Sequence, residues 1–133
     1  MGMYTEFHYN VELRRDTPER VIQSLMRMLG GEAIPGCDLP RHPLFSTPRW
    51  DVMLRMDSAY FAADTHSTLR QDRDGSYFLC VRCNLKNYDG EIEKFCEWLD
   101  PFVAGRRGDF LGFYRHEQSE NPELIRKLAV AAD

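Results

Sequence analysis

Glu6-Phe7-His8-Tyr9-Asn10-Val11-Glu12-Leu13 alternates without a break, apolar at Phe7, Tyr9, Val11 and Leu13 and polar at Glu6, His8, Asn10 and Glu12. A period of two marks a strand with one buried and one wetted face. Ser76 to Lys86 carries the same signal more strongly, and Asp72-Arg73-Asp74-Gly75 just before it reads as a hairpin turn with Gly75 at positive φ. Between the two strands the period changes. Val21, Ile22, Leu25, Met26 and Leu29 recur at helical spacing, with Thr17 as N-cap, Pro18 at the first helical position and Gly30-Gly31 as the stop.

Outward from these anchors, Glu32 to Pro48 holds four of the seven prolines and no periodicity, which predicts a long loop. Its part from Pro35 to Pro48 is a candidate lid or oligomer arm. Trp50 to Met56 reads as a second strand with Val52, Leu54 and Met56 inward. Tyr60 to Arg70 reads as a third, with Phe61, Ala63, Thr65, Ser67 and Leu69 facing one way. Asn87 or Asp89 opens a second helix whose buried stripe is Ile92, Phe95, Cys96, Leu99, Phe102 and Val103, and Pro101 ends it near Asp100. Gly105-Arg106-Arg107-Gly108 is a turn, and Asp109 to His116 is a strand rich in aromatics. In the tail over 121–132, Asn121-Pro122 looks like a helix cap while Leu124-Ile125 fits a short edge strand; the helix is the preferred reading. The order β-α-β-β-β-α-β predicts an α+β two-layer sandwich, a mainly antiparallel sheet of about five strands with two helices on one face. Ferredoxin-like topologies are the nearest common architecture, with one strand too many for the simplest form.

The 133 residues suit a single domain spanning 1–133. Seventeen basic against 21 acidic side chains leave a net charge of −4, the wrong sign for a dedicated nucleic-acid binder. No apolar run approaches the ~18 residues of a membrane helix, and the N-terminus lacks a signal-peptide core. The expectation is a soluble protein of the cytoplasm. Cys80-Val81-Arg82-Cys83 is a CxxC, but it lies on a strand, where residues three apart diverge. A zinc site needs convergent thiols, so neither metal nor cofactor is expected.

A two-layer fold leaves one sheet face open. Alternation places on it His8 and Asn10 from the first strand, Arg55 from the second, His66 from the third, Arg82 and Asn84 from the fourth, and Arg115 from the fifth, beside Leu111 and Phe113. These seven polar residues are the candidate ligand-binding set. Arginine forks pair with phosphate or carboxylate, asparagine reads donors and acceptors, and histidine switches near neutral pH. Any solvated sheet face presents a similar alternation. Asp64 and His66 share a face in an extended chain and could form a carboxylate-oriented imidazole, with Ser67 pointing away. Arginines outnumber lysines 14 to 3, and Trp50, Tyr60, Tyr88, Trp98 and Tyr114 exceed the needs of one helix-sheet core. Aromatics with arginine enrich interfaces and nucleotide-stacking sites, so a homo-oligomer is also expected.

Arg82-Cys83-Asn84-Leu85-Lys86-Asn87-Tyr88-Asp89-Gly90-Glu91-Ile92-Glu93-Lys94-Phe95 and Gly108-Asp109-Phe110-Leu111-Gly112-Phe113-Tyr114-Arg115, with Arg49-Trp50-Asp51, resemble a group of small uncharacterised proteins from bacteriophage and bacterial genomes. The resemblance spans most of the chain and carries no activity or catalytic residue with it. It implies a phage or mobile-element accessory protein in a bacterial host, of the kind that sequesters an immune signal or disables a host component. Together these readings make the first expectation a non-enzymatic binding protein for a small anionic, nucleotide-like ligand or a host protein. The alternative is a small hydrolase or phosphodiesterase using Asp64 and His66.

Overall fold

The computed structural model describes residues 3–31, 39–59, 61 and 64–128. Strand β1 is Thr5–Glu12, helix α1 Glu19–Met28, β2 Thr68–Gln71, β3 Tyr77–Leu85, α2 Glu91–Leu99, β4 Phe110–His116 and β5 Glu123–Arg126. Short 3₁₀ turns occupy Pro43–Ser46, Met53–Arg55 and Asp100–Phe102. The sheet is antiparallel throughout and runs β2-β3-β1-β4-β5. Its first four strands have the order of the ferredoxin-like split βαβ unit, and β5 is the extra strand. Both helices bury their stripes in the core on one face of this sheet: Val21, Ile22, Leu25 and Met28 from α1, Ile92, Phe95, Trp98 and Leu99 from α2. The Phe95 ring meets the Phe7 and Tyr9 rings edge-on at 5.9 and 5.8 Å. Aromatic pairs prefer that geometry, and it locks α2 over β1.

Three expectations need correction. Trp50 to Met56 is not a strand: consecutive Met53 and Leu54 are both fully buried, which an alternating strand facing one core cannot do. The hydroxyls of Thr65 and Ser67 donate to the carbonyls of Met56 and Leu54 at 2.7 Å, so apart from one main-chain bond, Asn84 N to Met56 O at 3.2 Å, the segment docks through side chains instead of a ladder. The third strand shrinks to Thr68–Gln71; Tyr60 and Ala63 lie outside the described residues, as do Pro35 and Cys37 of the long loop. The tail is a strand rather than a helix as far as Arg126, and 129–132 lie outside the described residues. The observed order is therefore β-α-β-β-α-β-β. Smaller shifts follow. Thr17 donates its hydroxyl to Arg14 O instead of capping α1, and Met28 takes the core place expected of Met26, which is exposed. Gly90, not Asn87 or Asp89, occupies the N-cap position of α2, while the side-chain oxygen of Asn87, three residues upstream of it, accepts from Ile92 N at 2.8 Å. The described part of the proline-rich loop packs on α2, Phe45 against Trp98 at 5.0 Å between ring centroids.

The β2–β3 hairpin closes through Asp74, whose carboxylate accepts from Ser76 N at 2.9 Å and pairs with Arg15 at 3.0 Å. The Ser76 amide, then its hydroxyl, and the nearby Arg15 hold the Asp74 carboxyl below its ordinary value. A depressed pKa stabilises the folded turn above the unfolded value, and that contribution disappears as pH falls through the lower folded one. The Asp74 carboxyl resonance should accordingly titrate with a midpoint below 3.8, and the Ser76 amide should move with it. A midpoint at or above that value would contradict the turn geometry.

Candidate functional site

Register decides which of the candidate residues meet. On β1, Glu6 and His8 point to the open face; Glu6 lies opposite Asn84 and Arg115, and His8 opposite Arg82 and Phe113. Arg115 donates through Nε and Nη2 to Glu6 Oε2 at 2.8 and 2.7 Å, and through Nη1 to Ser119 O at 2.8 Å. The other oxygen of Glu6 holds His8 Nε2 at 3.0 Å. The imidazole lies flat against the Phe113 ring, with centroids 4.5 Å apart and planes 16° off parallel. Phe61 sits over the Arg115 guanidinium at 5.4 Å. His8 is thus fixed in orientation by a carboxylate at its edge and an aromatic ring at its face, and its Nδ1 makes no hydrogen bond among the described residues.

Arg82 and His66 adjoin this cluster. Their backbones exchange two hydrogen bonds, His66 N to Arg82 O at 2.7 Å and Arg82 N to His66 O at 3.2 Å, so His66 continues the row beyond the end of β2. Arg82 Nε donates to Asp64 O at 2.8 Å, while its two terminal nitrogens make no hydrogen bond among the described residues. An exposed guanidinium anchored at Nε presents those two donors in a fixed plane. The row across the sheet reads His66, Arg82, His8, Phe113, and then Leu124 of β5, which is paired with Phe113.

The remaining candidates fall differently. Asn10 is exposed on the same face, opposite Cys80. Asn84 is on that face by register but only 2% exposed, with a buried side-chain oxygen that no donor among the described residues reaches. Arg55 is not on the sheet at all: from the Met53–Arg55 turn its Nε donates to Met28 O at 3.2 Å, closing the C-terminal end of α1. Leu111 is in the core, because a bulge between Phe110 and Gly112 shifts the alternation of β4. No hydrogen bond or ion pair joins Asp64 to His66 among the described residues; the carboxylate–imidazole contact on this face belongs to Glu6 and His8. Cys80 and Cys83 diverge, the first toward the open face and the second buried opposite Phe7, where burial pushes its thiol pKa up. Sequence reading placed Glu6 on the open face without assigning it a role, and it missed Phe61. Glu6 becomes visible as an organiser only once the register sets it between Arg115 and His8.

No protein-family model, curated protein or solved structure matches this chain. No helix among the described residues is long and apolar enough to cross a membrane.

Proposed function

We propose that this protein is a non-enzymatic binder of a small anionic ligand that carries a planar group, nucleotide-like in chemistry, on the open sheet face. The observation that supports this reading is the single row His66, Arg82, His8 and Phe113. Three inter-strand gaps give it a span of roughly 14 Å. The free fork of Arg82 meets a phosphate or carboxylate, with His66 and His8 on either side of it. Protonated imidazoles donate from both nitrogens, so an anion there would gather further hydrogen bonds. Phe113 and Leu124 offer a flat apolar surface for the planar end. Arg115 belongs to the frame: with its charge committed to Glu6, it orients His8 indirectly. Within this reading, the resemblance to phage and bacterial proteins puts the ligand among nucleotide signals that such a protein would sequester.

Native mass spectrometry of the protein as purified from cells, before and after denaturation, tests this directly. A retained small mass in the nucleotide range is the expected result. In a titration with ADP as probe, Arg82→Ala should weaken binding about tenfold or more, as loss of a charged hydrogen-bond pair does. Arg20→Ala, on the exposed side of α1, should leave it unchanged. A protein that emerges without a small mass and shows no saturable ADP binding would defeat the proposal and favour a host protein as the partner.

A further inference from the structure

On the layer opposite the open face, a cleft of about 320 Å³ lies between α2 and the β4–β5 edge. That is within the size range of small-molecule sites. Its walls are apolar, formed by Leu111, Tyr114 and Ile125, and the fully buried Tyr9 lines it as well. The Tyr9 hydroxyl has no hydrogen-bond partner among the described residues. A buried hydroxyl without one is costly, so Tyr9 is a polar group awaiting a complement. The mouth is of the opposite character: Glu93 and Glu97 line it, and the Glu97 side chain is 73% exposed.

Charge in the cleft is predominantly negative. Asp100 adds a third carboxylate, against Arg126 as the lining cation. Asp100 is already matched by Lys127 and by the Leu128 amide; Glu93 accepts one hydrogen bond from Asn87 Nδ2 at 2.9 Å and Glu97 faces His42 Nε2 at 3.4 Å, and these two glutamates carry the remaining negative charge at the mouth. Three groups in the walls register that field: burial raises the pKa of Tyr9, Cys96 and Tyr114 in the first place, and neighbouring negative groups, among them Glu93 and Asp100, raise them further.

We propose that this cleft binds a small organic amine with an apolar body and a hydroxyl or carbonyl at its far end. The far end enters first and completes the hydrogen bonding of Tyr9. The apolar body lies against Leu111, Tyr114 and Ile125. The ammonium stays at the mouth beside Glu93 and Glu97, where a carboxylate or phosphate ligand would be repelled. This site lies on the helix-covered side of the sheet and shares with the open-face row only the edge residue Leu124; it takes the opposite charge, so neither proposal depends on the other.

Two-dimensional NMR titrations of the full chain with three probes separate the outcomes. Tyramine has the amine, the ring and the hydroxyl; phenethylamine lacks the hydroxyl; 4-hydroxyphenylacetate replaces the amine by a carboxylate. Tyramine should bind saturably, with shifts centred on Leu111, Tyr114 and Ile125, and about tenfold more tightly than the carboxylate. Tyr9→Phe should weaken tyramine about tenfold and leave phenethylamine unchanged, since only the hydroxyl contact is lost. That variant removes an unpaired buried hydroxyl and nothing else, so its folding midpoint should be equal or higher. Glu93→Gln supplies an independent check, weakening both amines but not the carboxylate. The proposal falls if neither amine gives saturable shifts, if amine and carboxylate bind alike, if Tyr9→Phe leaves tyramine affinity intact, or if the shifts map to Arg82 and His8.

Discussion

Gly112→Ala should destabilise this fold by more than about 4 kcal/mol, near the limit of what single substitutions do. Gly112 of β4 stands directly opposite Tyr9 of β1 in the middle of the sheet. A Cβ built there would run into the backbone of β1: it would clash with the His8 carbonyl oxygen and lie 2.8 Å from the His8 carbonyl carbon and 2.9 Å from Tyr9 Cα. Flexible side chains could yield to such an intrusion, but these are main-chain atoms of the central strand, so β4 must part from β1. Parting them also separates Arg115 from Glu6 and Phe113 from His8, so the open-face cluster fails with the sheet. Denaturant unfolding of Gly112→Ala against the parent reads the effect, with Gly75→Ala as the comparison. Gly75 has a positive φ of 91° but nothing within 4 Å of its would-be Cβ. There the penalty is conformational only, about 1–2 kcal/mol. Similar losses for the two variants would show that steric contact at Gly112 is not what holds β1 and β4 at their observed spacing.

How far the sequence was legible follows from which residues obey a simple period. β1, β3 and both helices bury one regular face each, and those elements were predicted close to their observed bounds. The tightest errors arise where apolar residues are buried without a regular period. Val52, Leu54 and Met56 alternate in sequence, yet Met53 between them is as buried as Leu54, because a 3₁₀ turn rotates successive side chains by about 120° rather than 180°. Hydroxyl bonds from Thr65 and Ser67 then replace ladder bonds, a substitution that propensity does not announce. The same limit applies to the candidate site. Alternation along single strands put His8, Asn10, Arg82, Asn84 and Arg115 on the open face, and His66 is aligned with Arg82. Which of these touch depends on register, a long-range property of strand pairing. Arg55 was placed with them only through the strand that does not form.

The tail shows the other way a sequence can mislead, and its test is the second large effect. Lysines are almost never fully buried unless paired, and Lys127 is 3% exposed and its partner Asp100 only 5%. Lys127 Nζ donates to the Asp100 carboxylate at 3.0 Å and to the Asp100 carbonyl at 2.7 Å, while the Leu128 amide donates to the other carboxylate oxygen at 2.9 Å. This inward charge, with Lys127 N bonding Asp109 O at 2.8 Å and Gly108 N bonding Lys127 O at 2.8 Å, draws the tail into the sheet as β5. Lys127→Met keeps the length and apolar stem but removes the charge, stranding a buried carboxylate. Breaking one side of a buried pair costs about 3–5 kcal/mol, and Lys127→Met should lose stability in that range. Adding Asp100→Leu to Lys127→Met removes the stranded charge and should restore much of the loss. Recovery should stop short of complete, because the Leu128 amide then lacks its acceptor. Denaturant midpoints for the two single variants and the double variant measure this, and amide exchange in β5 reports whether the strand itself detaches. If Lys127→Met changes stability by less than about 1 kcal/mol, the ion pair does not anchor β5, and the ladder from Phe110 to Tyr114 must hold it unaided.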